Sequence, residues 1–135
     1  KMSPYSCLAL VLLGFASADL VTTKSGLKYE DVSEGSGAIA KRGDSVAVHY
    51  TGWLNEFDTG RKFDSSKDRG KLFSFKLGAG AVIRGWDEGV VGMRIGQRRR
   101  LVIPARMAYG EGGIPGVIPG GATLYFDVEL HKISK

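Results

Sequence analysis

The stretch A-V-I-R-G-W-D-E-G-V-V-G-M, residues 81–93, decides the fold. Val82 and Ile83 are β-branched and lead through Arg84-Gly85 into a segment where Trp86, Val90 and Met93 recur at helical spacing, the pattern of a short amphipathic helix. Beyond Arg98, and over most of the region before Ala81, the apolar residues alternate instead, so the helix must be covered by a sheet. Trp86 then lies at the centre. Gly89 and Gly92 each cost roughly 1 kcal/mol of helix propensity relative to Ala, so the helix depends on tertiary packing and sheet backbone is expected close to it.

Before the helix, Leu27 to Val32 reads as a first strand, and Ser33 to Gly43 as a polar loop. Ser45 to Leu54 is a long strand with Val46, Val48 and Tyr50 on one face and Ala47, His49 and Thr51 on the other, which points Tyr50 inward and His49 outward. Asn55 to Arg61, containing Asp58-Thr59-Gly60, is a hairpin loop. Lys62-Phe63-Asp64-Ser65-Ser66 sets an aromatic beside a carboxylate; alone, this fits a core Phe next to a turn-capping Asp as well as it fits a site. Leu72 to Leu77 alternates again, with Phe73 and Phe75 on one face.

After the helix, Arg98 to Ile103 is a strand, and Thr123 to Ile133 is the clearest of all: Leu124, Phe126, Val128 and Leu130 face one way, Tyr125, Asp127, Glu129 and His131 the other. Between them Pro104 to Gly121 is a long connection, of a length that in a compact domain is usually functional. It carries Tyr109, Ile114, Val117 and Ile118, apolar side chains that suggest a wall for a ligand.

Composition narrows the class. The chain of 135 residues is 43% hydrophobic and 24% charged, enough for a real core without metal or disulfide support. Its 20 glycines fall singly between apolar runs, as tight turns in a β-rich protein do. The net charge of +5 is dispersed. Only Arg98-Arg99-Arg100 is a basic run; alternation splits it between two faces, giving a solvated strand margin rather than a nucleic-acid or anionic-membrane surface.

Cys7 to Phe15 is an apolar run followed by Ala16-Ser17-Ala18, the small-x-small form of a signal-peptidase site, so residues 1–18 read as a secretory signal and residues 19–135 as a single domain. The run is far short of the roughly 20 residues that span a bilayer, so no stable membrane insertion is expected. Removing it removes Cys7, the only cysteine, and with it any cysteine nucleophile or cysteine-ligated zinc. The expected location is the secretory pathway, with periplasm, organelle lumen and extracellular space all open.

Acid-base and metal chemistry find no residues. Both histidines, His49 and His131, fall on outward strand faces, and no paired metal-ligand spacing occurs, so neither a metal nor another cofactor is expected. Gly80 and Gly85 have the gap of a phosphate loop, but Trp86 stands where its Lys belongs. What remains is aromatic: Tyr50, Phe63, Phe73, Trp86, Tyr109 and Phe126, with Asp64 among them. They could all be core in a tightly packed β domain.

The motifs Y-T-G (50–52), K-F-D-S-S (62–66), V-I-R-G-W-D-E-G (82–89), A-Y-G (108–110) and I-P-G-G-A-T-L (118–124) together resemble the FKBP family, the macrolide-binding peptidyl-prolyl cis-trans isomerases, in order and from about Leu27 to Ile133. The resemblance implies an α+β fold, a strongly bent antiparallel sheet of five to six strands wrapped around one short α-helix. It makes Trp86 the floor beneath a prolyl ring. Tyr50, Phe63, Phe73, Val82, Ile83 and Phe126 become walls, and Tyr109 the loop residue reaching the substrate carbonyl. Asp64 matches the family's pocket carboxylate, Arg69 is placed like its partner, and Ile83 offers a backbone N–H. Tyr50, Asp64, Tyr109 and Phe126 are the implied catalytic set, and Ile114, Val117 and Ile118 join the binding wall.

The implied activity is macrolide-sensitive isomerisation of X-Pro bonds in folding client polypeptides by a monomer, against two alternatives that use the same groove: a non-catalytic peptide-binding module and a chaperone. Three features depart from the smallest members. Ile114 stands where some have His, the loop Asn55 to Arg61 is longer, and Gly120-Gly121 follows Pro119 as in secretory-type members. These bear on client preference, not on the floor.

Overall fold

The computed structural model describes residues 20–134. The apolar run Cys7–Phe15 and the Ala16-Ser17-Ala18 site lie outside the described residues. Seven strands form one antiparallel sheet: β1 (Val21–Thr22), β2 (Lys28–Ser33), β3 (Ser45–Leu54), β4 (Arg61–Ser65), β5 (Phe73–Lys76), β6 (Arg98–Ile103) and β7 (Leu124–Ser134). The order is β1-β2-β6-β7-β3-β4, and β5 also pairs with β3, so the first half of β3 has β5 as neighbour and its second half β4. The strand beyond the expected five to six is β1, two residues long and paired to β2. So short an edge has no apolar alternation to betray it.

Among the described residues a short 3-10 helix, Ala105–Met107, follows β6, and one α-helix, α1 (Arg84–Gly89), lies against the sheet. It stops sooner than the Trp86-Val90-Met93 stripe suggests. Val90 caps it, Gly92 turns the chain at φ 90°, and Val90 and Met93 are fully buried from the turn that follows. Close packing is supplied by Gly85 and Gly89 rather than Gly92: a Cβ on Gly85 would stand 2.5 Å from the Ile103 side chain and one on Gly89 2.7 Å from Leu101, whereas one on Gly92 would meet nothing. What lies against the helix is thus the inward side chains of β6. Leu101, Ile103, Leu124, Val128, Leu130, Val46 and Val48 are part of the core around it.

The arginine run is corrected most. It is not a solvated margin but β6, an interior strand between β2 and β7. Alternation does separate the three side chains, and each finds a carboxylate. Arg98 donates to both oxygens of Asp127 at 2.7 and 2.6 Å, Arg100 adds a third bond to Asp127 at 3.1 Å, and Arg99 bonds Asp31 at 2.6 Å with its guanidinium 4.6 Å from the Tyr29 ring centre. Asp127 is buried, and a carboxyl is buried at low cost only with such hydrogen-bonding partners.

Three strands carry an extra residue: on β2, pairing runs Asp31 to Arg99 and then Ser33 to Arg98, leaving Val32 over, and two more lie on β4 and β7. Pairing runs Gly52 to Asp64 and then Trp53 to Lys62, leaving Phe63 over on β4, and Ala47 to Lys132 and then Val48 to Leu130, leaving His131 over on β7.

Candidate functional site

Between the sheet and α1 lies a cleft of about 190 Å³ lined by Tyr50, Phe63, Asp64, Phe73, Ala81, Val82, Ile83, Trp86, Tyr109 and Phe126. Phe63 and Asp64 are neighbours on a strand, and regular alternation would send them to opposite faces. The extra residue in β4 turns both into the same cleft. Gly52, across the ladder, makes room: a Cβ there would stand 2.6 Å from the Phe126 ring and 2.7 Å from the Phe63 ring. Those rings meet edge to face, with centroids 5.5 Å apart.

Trp86 is 4% exposed and enclosed by Tyr50, Phe126, Phe75 and Phe73 at centroid distances of 4.8, 5.2, 5.6 and 5.9 Å. Its Nε1 has no hydrogen-bond acceptor among the described residues. Rings rather than oxygens surround it, and such contacts satisfy an N–H only weakly. The stretch that brings Val82 and Ile83 to the cleft is pinned from the helix. The Asp87 carboxylate accepts the backbone N–H groups of Gly78 at 2.8 Å and Gly80 at 2.9 Å, and the Ile83 carbonyl accepts those of Trp86 and Asp87.

At one side of the cleft the polar groups form a closed set. Tyr50 donates its hydroxyl to Asp64 Oδ2 at 2.5 Å, while Arg69 donates to Asp64 Oδ1 at 2.6 Å and to the Tyr50 hydroxyl oxygen at 2.8 Å. Burial pushes the Asp64 carboxyl up, but the bonds from Tyr50 and Arg69 outweigh it and hold the group below its ordinary range. Burial, reinforced by the Asp64 carboxylate, pushes the Tyr50 hydroxyl up. Tyr109 is raised by burial and then by the Asp64 charge. The site therefore holds one carboxylate and two protonated phenols across the whole neutral range.

Ser66 ties this set to the backbone. Its Oγ accepts the Tyr50 N–H at 2.8 Å and its carbonyl accepts the Arg69 N–H at 3.2 Å. His49 is not simply a surface residue: half-buried, it bonds Ser66 Oγ through Nδ1 at 2.8 Å and meets His131 edge to face at 5.3 Å, outside the cleft lining.

Of the residues named from the sequence, Tyr50, Phe63, Asp64, Phe73, Val82, Ile83, Trp86, Tyr109 and Phe126 come together around the cleft, and Arg69 reaches Asp64. Ile114, Val117 and Ile118 do not reach its lining. A bridge between Ile114 and Ile118 closes the loop on itself, burying Ile118 in the core at 4% exposure and leaving Val117 40% exposed. Ala81 lines the cleft unanticipated, although its place beside Val82 was the available signal. Among the described residues no cluster of His, Cys, Asp or Glu could hold a metal, and no helix is long and apolar enough to cross a membrane.

Comparison with known proteins gives a consistent picture. The family profile described as FKBP-type peptidyl-prolyl cis-trans isomerase matches residues 37–131. An FK506-binding protein of Neisseria meningitidis serogroup B is 53% identical over 108 residues, covering 80% of this chain and 96% of that protein. The peptidyl-prolyl cis-trans isomerase Fkbp12 of Drosophila melanogaster is 51% identical, covering 80% and 98%. FK506-binding protein 2B of Rhizopus delemar is 63% identical over 91 residues, 67% of this chain and only 43% of that longer protein.

Two solved structures share the fold: FkpA from Escherichia coli, with a TM-score of 0.76 and 42% identity over 85% of this chain and 51% of that one, and AtFKBP13, with a TM-score of 0.77 and 36% identity over 84% and 98%. Similarity in sequence along the matched residues and similarity in fold lead to one conclusion: the chain belongs to the FKBP-type peptidyl-prolyl cis-trans isomerase family.

Proposed function

We propose that the cleft takes the prolyl ring of X-Pro segments in client polypeptides and lowers the barrier to rotation of the bond before it. The observation that carries this reading is an aromatic enclosure, floored by Trp86, whose one carboxylate is already paired with Tyr50 and Arg69. Such a site is apolar, rigid and without a group that exchanges protons near neutrality.

That is what the reaction needs. Rotation faces a barrier of ~18–20 kcal/mol because a twisted amide loses its resonance, and no bond is made or broken. The twisted amide is less dipolar than the planar one, so it loses less on transfer from water to an apolar cleft, and the cleft favours it differentially. Trp86, Phe63 and Phe126 supply the medium. Tyr109, whose hydroxyl bonds no other described residue, and the backbone N–H of Ile83 hold the carbonyl before the proline and fix one side of the rotating bond. Asp64 and Arg69 orient Tyr50.

The cleft accommodates a ring of prolyl size rather than a drug-sized molecule. Covering about 100–150 Å² of apolar surface is worth ~3 kcal/mol, so single-proline peptides bind near millimolar. A macrolide such as rapamycin inserts one ring and, being preorganised, binds far more tightly. The unit is proposed to work as a monomer, and the Cys7–Phe15 run with Ala16-Ser17-Ala18 supports a place in the secretory pathway. NMR exchange spectroscopy on a Leu-Pro or Phe-Pro peptide, with and without the protein, tests the reading. Cis-trans cross-peaks that grow with protein support it; binding shifts without exchange reduce the cleft to a peptide-holding groove.

A further inference from the structure

The hairpin loop between β3 and β4 folds back over the outer face of the sheet, away from the cleft lining. Phe57 meets Tyr125 edge to face at 5.2 Å and Trp53 at 6.2 Å, and the Arg100 guanidinium lies 4.7 Å from its ring centre. The same Arg100 donates to both carboxylate oxygens of Asp58 at 2.9 Å and, through Nε, to Asp127. The loop is closed tightly enough that Asn55 and Asp58 take positive φ of 76° and 64°, and a Cβ on Gly60 would stand 2.1 Å from the Leu54 carbonyl oxygen. Asn and Asp tolerate that region, but such a loop persists only where its surroundings hold it.

In a hairpin the loop sets the register of the strands it joins. Immediately beyond this loop, β4 carries the extra residue Phe63, without which Phe63 and Asp64 could not both face the cleft. A slip of one residue would pair Trp53 with Phe63 and Leu54 with Lys62, erase the bulge and draw the loop along by one position. Phe57 and Asp58, docked on Trp53, Tyr125 and Arg100, cannot follow.

We infer that Phe57 and Asp58 are positioning residues for the cleft: by locking the loop to the outer face through Arg100, they hold the β4 bulge and thereby aim Phe63 and Asp64. This rests on the proposed isomerase reading for its functional consequence, while the register itself is independent of it.

The test compares Phe57→Ala and Asp58→Ala, with Asp58→Glu as the conservative variant, in wild-type and Phe63→Ala backgrounds. In wild type each alanine variant lowers kcat/KM for a Phe-Pro peptide about tenfold, equivalent to ~1.4 kcal/mol. Asp58→Glu recovers most of it. In the Phe63→Ala background the loop variants change kcat/KM much less, because they act through that ring. By NMR, the Gly52 to Asp64 and Trp53 to Lys62 cross-strand contacts weaken in the alanine variants. Unchanged cross-strand contacts, or equal losses of kcat/KM in both backgrounds, would overturn the inference and leave the loop as stabilising only. Should wild type not turn over at all, the isomerase reading fails, and the cross-strand contacts still decide whether the loop sets the register.

Discussion

Replacing Trp86 by Leu separates a binding floor from mere core. The indole touches four rings at 4.8–5.9 Å, and each such pair is worth about 0.5–1.5 kcal/mol beyond area burial. Leu keeps the site apolar but fills less of it, leaving a cavity. Against these losses, the variant removes a buried N–H that has no acceptor, a relief of about 1–3 kcal/mol. The balance is a destabilisation of about 2–3 kcal/mol, below the ~3–5 kcal/mol of truncating a buried aromatic to Ala and within the stability of an ordinary domain.

Trp86→Leu should therefore fold, with a lowered denaturation midpoint and an unchanged denaturant slope. Rapamycin affinity, measured by calorimetry, should fall about 10- to 100-fold, since a flat floor under an inserted ring is lost. Turnover of a Phe-Pro peptide should fall less than affinity does, because the twisted amide requires apolar surroundings more than a flat face. A folded variant that binds rapamycin with wild-type affinity would refute the assignment of Trp86 as floor.

The remaining predictions concern protons, packing and processing. Between roughly pH 5.5 and 9, kcat/KM should be flat, because Asp64 is held below its ordinary range and Tyr50 and Tyr109 are raised above theirs; a bell that disappears on replacing His49 or His131 would instead mean acid-base catalysis. Asp64→Asn should lower activity without bending that profile. For stability the sign is fixed: a depressed carboxyl stabilises the fold above the unfolded value of ~3.9 and loses that contribution as pH falls through the folded one, so acid unfolding of Asp64→Asn should be less steep than that of wild type. Gly52→Ala, whose Cβ would press on the Phe63 and Phe126 rings, should cost about 1–3 kcal/mol in chemical denaturation and reduce kcat/KM, whereas an unperturbed variant would show that those rings yield freely. Expressed with export machinery, the protein should begin at Asp19; N-terminal sequencing that finds the Cys7 segment intact in the soluble fraction would remove the secretory assignment.

Sequence alone determined the parts of this protein that depend on near neighbours along the chain. The alternation of Val46, Val48 and Tyr50 in β3 and of Leu124, Phe126, Val128 and Leu130 in β7 decides which side chains enter the core, since a period of two has only one apolar face to bury. Trp86 is central because a lone amphipathic segment in a β-rich chain has nowhere else to put a large ring. Tertiary structure decided whatever breaks a period or joins distant residues. Phe63 and Asp64 share a cleft only through an extra residue in β4, which no local pattern announces. Arg98 and Arg100 read as solvated until β7 brings the buried Asp127 beside them. Ile114, Val117 and Ile118 have the composition of a ligand wall, but a backbone bridge between Ile114 and Ile118 inside their own loop accompanies the burial of Ile118 in the core and leaves Val117 exposed. Hydrophobic patterning records how much a side chain gains by leaving water; where it goes depends on which strand arrives next to it, and that is set by pairing across the sheet.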